Sequence, residues 1–306
     1  MKQHYKGIMN GMPVALVMGG PGKEREISLR SGAAVAGALR DCGAVVTEHD
    51  VRGPGFAPPP GTALVYNMIH GTFGEDGGLQ SLLDAKGIPY TGEGAEESRI
   101  AFDKIETKRR FDLAGVPTCG WRVLNRGEEV ACRLPCVVKA PRQGSSVGVH
   151  IVSSAPELPA ALEDCFLYGD QVLVEEFFAG RELTVGILGD LALPIVEVVP
   201  HEGFYDYEHK YTKGATEYHV PAELPGDLAA KVKRAAIKAC LALGLRVYSR
   251  VDVLLAPDGS LNVLEVNTIP GMTETSLLPK AAAVAGLNFP ALCEEIAGLS
   301  LLARNR

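Results

Sequence analysis

The chain has 306 residues, 46% hydrophobic and 22% charged, with 35 glycines and 20 prolines. This length suggests about two domains, with one or three allowed, and the composition excludes a disordered or collagen-like polymer. The formal net charge is −7, from 30 basic and 37 acidic residues, and no basic stripe of the kind carried by nucleic-acid binders is present.

No apolar run reaches the roughly 18 residues that span a bilayer, and Met1 to Met12 holds no apolar signal core, so the expected address is the cytosol. Seven cysteines (42, 119, 132, 136, 165, 240 and 293) are odd in number and scattered, with no C-x-x-C. That spacing predicts reduced, partly buried thiols rather than a zinc or redox site.

In chain order, Val14 to Met18 is an apolar run ending at Gly19-Gly20 and reads as a buried strand. A helix follows from Ile27 to Arg40, with Leu29, Ala33, Ala36 and Leu39 on one face, then a strand from Ala44 to Thr47. After the Pro/Gly connector 54–61 come a strand from Ala63 to Ile69, a helix from Gly78 to Ala85 and an extended stretch from Ile88 to Gly92. This β-α-β-β-α-β order predicts a small parallel-sheet domain.

A helix from Asp103 to Leu113 stops at Gly115-Val116-Pro117. Strands Pro135 to Lys139 and Val147 to Val152 flank the polar turn 142–146, followed by a helix from Pro156 to Phe166 and a strand from Val172 to Phe177. That pattern predicts a small α+β lid. The last third has strands Glu182 to Leu188 and Leu193 to Val199, then an aromatic-rich loop from Pro200 to His219. The helix from Asp227 to Leu243 carries Leu228, Val232, Ala235, Ala239 and Ala242 on one stripe. Strands Val247 to Leu255 and Leu261 to Val266 follow, joined by the turn Pro257-Asp258-Gly259.

Chemistry concentrates at four places. Asp252, Glu265 and Asn267 sit on two facing strands among apolar neighbours, and buried carboxylates need partners. Three oxygen donors on one wall suit Mg²⁺, although a strand pair with one wet face accounts for the pattern equally well. Lys104, Lys139 and Lys210 lie beside apolar or loop residues, and Lys139 precedes the Gly144-Ser145-Ser146 turn, whose N–H groups could help hold phosphates. The turn lacks the P-loop order. Gly19-Gly20-Pro21-Gly22 precedes Lys23-Glu24-Arg25-Glu26, and the acids there favour a cationic or zwitterionic ligand over an anion. His70 and the glycine-rich run after it stand at the carboxyl end of a strand, where open α/β sheets bind ligands.

Taken together, these segments resemble the D-alanine–D-alanine ligase family of the ATP-grasp superfamily over about Pro13 to Leu292. The matching stretches are GGPGKEREISLRSG (19–32), HGTFGEDGGLQ (70–80), IPYTG (88–92), DKIETK (103–108) and QGSSVGV (143–149). They continue with GRELTV (180–185), GFYDYEHKYT (203–212), SRVDV (249–253) and LEVNTIPGMTETSLLPKAA (264–282). The resemblance implies an α/β, ATP-grasp architecture. It has an N-terminal Rossmann-like parallel-sheet domain (1–102), a central α+β lid (103–179) and a C-terminal α+β domain (180–306).

The resemblance also implies an activity. ATP phosphorylates one D-alanine, and a second attacks the acyl phosphate, supplying a peptidoglycan precursor. Lys104 and Lys139 would hold the α- and β-phosphates, and Lys210 the γ-phosphate. Glu182 would bind ribose, and the hinge 175–178, with Glu175, Glu176 and Phe178, would clasp adenine. Asp252, Glu265 and Asn267 would hold two Mg²⁺ ions, with Mn²⁺ a substitute and a monovalent cation a further activator.

Glu24 would anchor the first D-alanine's ammonium in a hydrogen-bonded set with Ser145 and Tyr211, and His70 would lie near its carboxylate. Arg250 and the N–H of Gly271 would meet the tetrahedral oxyanion, and Ser276 with the N–H of Leu277 the second carboxylate. The family implies a homodimer, with no nucleic-acid or membrane partner. The chain departs from the usual pattern at Ala140-Pro141, at the charged stretch 93–99 and at Thr275. Two rivals are a ligase using D-lactate or another amino acid, and a non-catalytic ligand sensor.

Overall fold

The structure, a computed structural model, describes residues 3–128, 130–200, 216–273 and 275–304. β1 (Pro13–Gly19) is apolar along its length, as a strand with a parallel neighbour on each side must be. β2 (Val45–Val51) and β3 (Leu64–Asn67) flank it in parallel, in the order β2-β1-β3. α1 (Arg25–Asp41) links β1 to β2 and buries Val35 and Leu39 on the sheet. A Cβ on Gly32 would come within 2.7 Å of the Met18 Cβ, so helix and strand meet there with no room for a side chain.

The extended stretch expected at 88–92 contributes only a parallel bridge between Val65 and Tyr90. The ladder ends because the Asn67 N–H donates to the Thr91 hydroxyl (2.9 Å) instead of a strand carbonyl. Gly92, at φ 93°, then turns the chain away. α2 (Gly78–Asp84) and α3 (Ala95–Phe102) follow β3.

The middle sheet is antiparallel, in the order β4-β7-β5-β6. Its strands are β4 (Trp121–Asn125), β5 (Cys136–Lys139), β6 (Val149–Val152) and β7 (Gln171–Glu176). α5 (Leu158–Phe166) covers one face, setting Ala161 and Cys165 against Val138, Val152 and Val174.

The third sheet runs β11-β10-β8-β12-β13, with the short β9 (Leu191–Ala192) paired to β8. The other strands are β8 (Arg181–Leu188), β10 (Val196–Pro200), β11 (Thr216–His219), β12 (Tyr248–Leu255) and β13 (Leu261–Asn267). β11 takes the end of the stretch read from sequence as loop, because 216–219 pairs antiparallel with β10. The rest of that loop, with Lys210 and Tyr211, lies outside the described residues.

α6 (Gly226–Leu243) covers this sheet. α4 (Lys104–Ala114) packs beside it, with Phe111 and Val116 in one core with Leu183, Val251 and Val263. The first helix of the span 103–179 therefore packs on the third sheet, not the middle one. Asp103 caps α4, accepting from the Ile105 (3.0 Å) and Glu106 (3.2 Å) N–H groups. α7 (Leu277–Val284) and α8 (Phe289–Arg304) return to the first sheet, where Leu278, Ala282 and Ile296 share a core with Val14, Leu16 and Tyr66. Among the described residues, no helix is long and apolar enough to cross a membrane.

The charged stretch 93–99 divides between two roles. Arg99 and Glu96 form an exposed pair within α3 (2.7 Å). Glu93 is buried and joins the first and third units, its carboxylate accepting the backbone N–H groups of Arg246 (3.0 Å) and Val247 (2.7 Å). Burial pushes the Glu93 carboxyl up to about 7, against those N–H donors, which lower it.

A raised carboxyl has a definite linkage sign. The folded chain keeps a proton that the unfolded chain loses near the ordinary carboxyl value, so stability falls as pH rises between about 4.5 and 7. The span corresponds to roughly 3 kcal/mol. Thermal melts from pH 4.5 to 7.5 should show this decline in the wild type and a flatter profile in Glu93→Gln. Parallel profiles would contradict it.

Candidate active site

Two cavities lie between the three sheets. The first, of about 450 Å³, is bounded by the start of α1, the 143–145 turn, the ends of β12 and β13 and the start of α7. The second, of about 540 Å³, lies between the middle and third sheets and is lined by Lys139, Ile151, Phe178, Glu182 and Leu264 among others. Lys104 and Glu265 line both cavities. They face each other at 3.5 Å, so a group passing from one cavity to the other would cross at this ion pair.

On the side of the second cavity, Glu175 is buried between two lysines, with Lys139 at 2.6 Å and Lys108 at 2.9 Å. Burial alone would raise the Glu175 carboxyl, but Lys139 and Lys108 hold it below the usual carboxylate range. Burial likewise pulls the Lys139 ammonium down, and Glu175 overcomes this and leaves it raised. Of the hinge residues, Glu175, Glu176 and Phe178 all line the cavity, and Glu175 has its carboxylate turned to the lysines. Glu182 lines the same cavity from β8. Lys104, the first residue of α4, also donates to the Gln143 carbonyl (2.7 Å), tying the helix start to the glycine turn.

In the first cavity the backbone is shaped around Glu24. Ser145 donates its hydroxyl to the Glu24 carboxylate. Ser145 (φ 48°) and Ser146 (φ 61°) both adopt the left-handed conformation that ordinary residues rarely take. A Cβ on Gly144 would stand 2.7 Å from the Glu24 carboxylate, and one on Gly71 would crowd the same oxygen. His70 Nδ1 faces the Ile269 carbonyl (2.9 Å), which can only accept, so Nδ1 carries the proton and Nε2 accepts from Ser31 (3.2 Å). Both ring nitrogens are thus occupied, and His70 ties β3 and α1 to the turn after β13. Glu75 lies 3.6 Å from His70. Burial pushes its carboxyl up and the charge of Glu24 adds to this, while His70 draws it down.

β12 and β13 bring the oxygen donors together. Asp252 stands opposite Glu265, and Arg250 opposite Asn267. Arg250 grips Asp252 through two N–H groups (3.0 and 2.7 Å), and Thr184 donates to the same carboxylate. The Asn267 side-chain oxygen accepts the Ile269 N–H (2.9 Å). Two carboxylates and an amide oxygen form a hard donor set that fits Mg²⁺. Gly271 and Ser276 also line the cavity, and the Ser276 hydroxyl is held by the Thr273 N–H (3.0 Å) just before α7 starts at Leu277.

All the expected residues lie in or beside one of the two cavities, apart from Lys210 and Tyr211, which are not described. The sequence reading did not single out Lys108, Glu75, Arg30 or Lys280. Lys108 stands four residues after Lys104 on one helix, a spacing that places both on one side and was there to be read. Glu75 stood inside a glycine-rich run at a strand end, an unusual place for a carboxylate with no solvent role. Gly144→Ala should leave the fold intact and push Glu24 off Ser145. It should raise by about tenfold the KM for any ammonium-bearing substrate that the Glu24 carboxylate takes, the cost of one charge-assisted hydrogen bond. Steady-state kinetics with a melting control checks this, and an unchanged KM would contradict it.

Residues 118–297 match the family model described as D-ala D-ala ligase C-terminus. The D-alanine–D-alanine ligase of Methylacidiphilum infernorum is 47% identical over 289 residues, covering 94% of this chain and 95% of the relative. That of Syntrophotalea carbinolica is also 47% identical, over 295 residues and 96% of its length. The crystal structure of the Bacillus anthracis D-alanine–D-alanine ligase complexed with ATP superimposes with a TM-score of 0.86 at 33% identity, covering 97% of this chain and 99% of that one. With two cavities meeting at an ion pair and similarity over nearly its full length, the chain belongs to the D-alanine–D-alanine ligase family.

Proposed function

We propose that the chain joins two D-alanines into D-alanyl-D-alanine at the expense of ATP, for peptidoglycan precursor synthesis. It acts in the cytosol as a homodimer, with 103–179 serving as the lid segment between the N-terminal and C-terminal portions. The observation that carries this reading is the meeting of the two cavities at Lys104 and Glu265. One cavity is rimmed with lysines for a polyphosphate, and the other has a carboxylate, Glu24, seated for an ammonium.

In the first step a carboxylate oxygen of the first D-alanine attacks the γ-phosphorus of ATP, the bond to the bridging oxygen breaks, and ADP leaves. Two anions must meet, so neutralisation of charge is the central requirement. Lys104 and Lys139 supply it from the walls, and family resemblance assigns Lys210 to the γ-phosphate and Tyr211 to the Ser145–Glu24 set. Asp252, Glu265 and Asn267 would hold two Mg²⁺ ions, which supply further neutralisation of the phosphate charge. The commitment of the Glu175 carboxylate to Lys139 and Lys108 leaves the hinge backbone at 176–178 to clasp adenine, with Glu182 on the ribose.

In the second step the second D-alanine sits with its carboxylate at the Ser276 hydroxyl and the Leu277 N–H, a helix start suited to an anion. Its amine loses a proton and attacks the acyl carbon. Arg250, aimed by Asp252, and the Gly271 N–H receive the developing oxyanion. The carbon–oxygen bond to phosphate then breaks, and phosphate departs with an oxygen that belonged to the first D-alanine.

The test is purified protein with ATP, Mg²⁺ and D-alanine, with D-lactate and other D-amino acids as competing acceptors. One phosphate per dipeptide should appear, with no depsipeptide at neutral pH. ATP turnover without dipeptide would refute the ligase reading. Glu265→Gln should lower turnover by roughly a hundredfold or more while keeping the fold. Near-normal activity at ordinary Mg²⁺ would remove Glu265 from the metal set.

A further inference from the structure

The first cavity contains both signs of charge, and most of the charges are engaged with each other. Lys104 is paired with Glu265 and Arg250 with Asp252, Glu75 lies 3.6 Å from the His70 ring, and Glu24 accepts the Ser145 hydroxyl. Two cations of the lining, Arg30 and Lys280, have no carboxylate partner among the described residues. Arg30 is exposed on α1, whereas Lys280 is half-buried on α7.

Lys280 is held in place. Its ammonium lies 5.4 Å over the ring of Tyr218, a residue of β11 that also lines the cavity. The helix places it near the second-substrate end. The Lys280 N–H donates to the Ser276 carbonyl (3.1 Å), so the two residues are one turn apart on the same side of α7. Their side chains line the same cavity. The helix start at Leu277, the Ser276 hydroxyl and the Lys280 ammonium thus form one positively biased corner.

We propose that Lys280 is a specificity-determining residue for the second amino acid. Its ammonium takes the acceptor's carboxylate and selects acceptors that carry one beside the reacting amine. The inference rests on the ligase reading above. The Tyr218 ring keeps the ammonium facing the cavity, and a ring offers little competition to a carboxylate for that charge. Lys280 is assigned to the acceptor's carboxylate only, and Glu24 to the first D-alanine's ammonium.

D-Alaninamide separates the roles. It has no carboxylate to phosphorylate, so it enters only as the acceptor, and it has nothing for Lys280 to bind. Wild type, Lys280→Met and Lys280→Arg would be given ATP, Mg²⁺, D-alanine and competing D-alaninamide, and the products measured by mass spectrometry. Methionine keeps the apolar stem over Tyr218 and deletes the charge. Lys280→Met should make D-alanyl-D-alanine about tenfold more slowly at low D-alanine while D-alanyl-D-alaninamide forms at the wild-type rate, shifting the product ratio about tenfold. Lys280→Arg should restore the wild-type ratio. Equal loss of both products, or an unchanged ratio, would overturn the proposal. A wild type that makes neither product would overturn the ligase reading and this inference with it.

Discussion

Two lysines share one buried carboxylate at the wall of the second cavity, and this imbalance sets the terms for the rest of the site. Lys108 and Glu175 are almost fully inaccessible, and Lys139 nearly so. Burying charge is costly unless it is compensated, and here the compensation is one carboxylate short of complete. The surplus is a positive charge facing the second cavity, which Lys139 lines. Strands β5 and β7 run side by side to bring Lys139 and Glu175 together, and α4 delivers Lys108 from the third sheet. The middle and third sheets are thus tied to one another by the same charges that prepare the cavity for an anion.

The opposite imbalance holds locally around Glu24 in the first cavity. Glu24 is seated by the Ser145 hydroxyl between two glycine backbones, with no lysine or arginine within ion-pair distance among the described residues. A carboxylate so placed has a charge to offer an ammonium, and an amino acid anchored there presents its own carboxylate to the rest of the cavity. Lys104 and Glu265 stand where the two regions meet. Lys104 reaches the junction because it opens α4, whose cap at Asp103 also receives Arg142 (2.8 Å) from the glycine turn. The turn, the helix start and the end of β13 are therefore held as one assembly around the meeting point.

Much of this was legible in the sequence. β1, α6, β12 and β13 are read from buried apolar runs and a 3.6-residue stripe, and the facing of Asp252 and Glu265 follows from the alternation of two adjacent strands. The parts that were not legible share a physical reason. α3 is charged outside and buries only Ser98, Ile100 and Ala101, too short an apolar face to register. β4 is an edge strand whose residues are mostly half-buried. α8 carries Glu294 and Glu295 inside, where they accept N–H groups of Gly7 and Tyr5 from the chain's start, a pairing across nearly the whole length. Lys108 and Glu175 are likewise far apart in the chain, so neither announces the other. Glu93 stands in a stretch notable in the sequence only for its charge, and only the fold reveals the backbone N–H groups it receives.

The central claim is that a phosphoryl group crosses at the Lys104–Glu265 junction onto the carboxylate of the first D-alanine. Labelling that carboxylate with ¹⁸O tests it directly. If the acyl phosphate forms and is displaced by the second amine, each released phosphate carries one ¹⁸O taken from D-alanine, as seen by mass spectrometry or by the isotope shift of its ³¹P resonance. Unlabelled phosphate accompanying dipeptide formation would show that the carboxylate is never phosphorylated, and the account of the two joined cavities would be wrong.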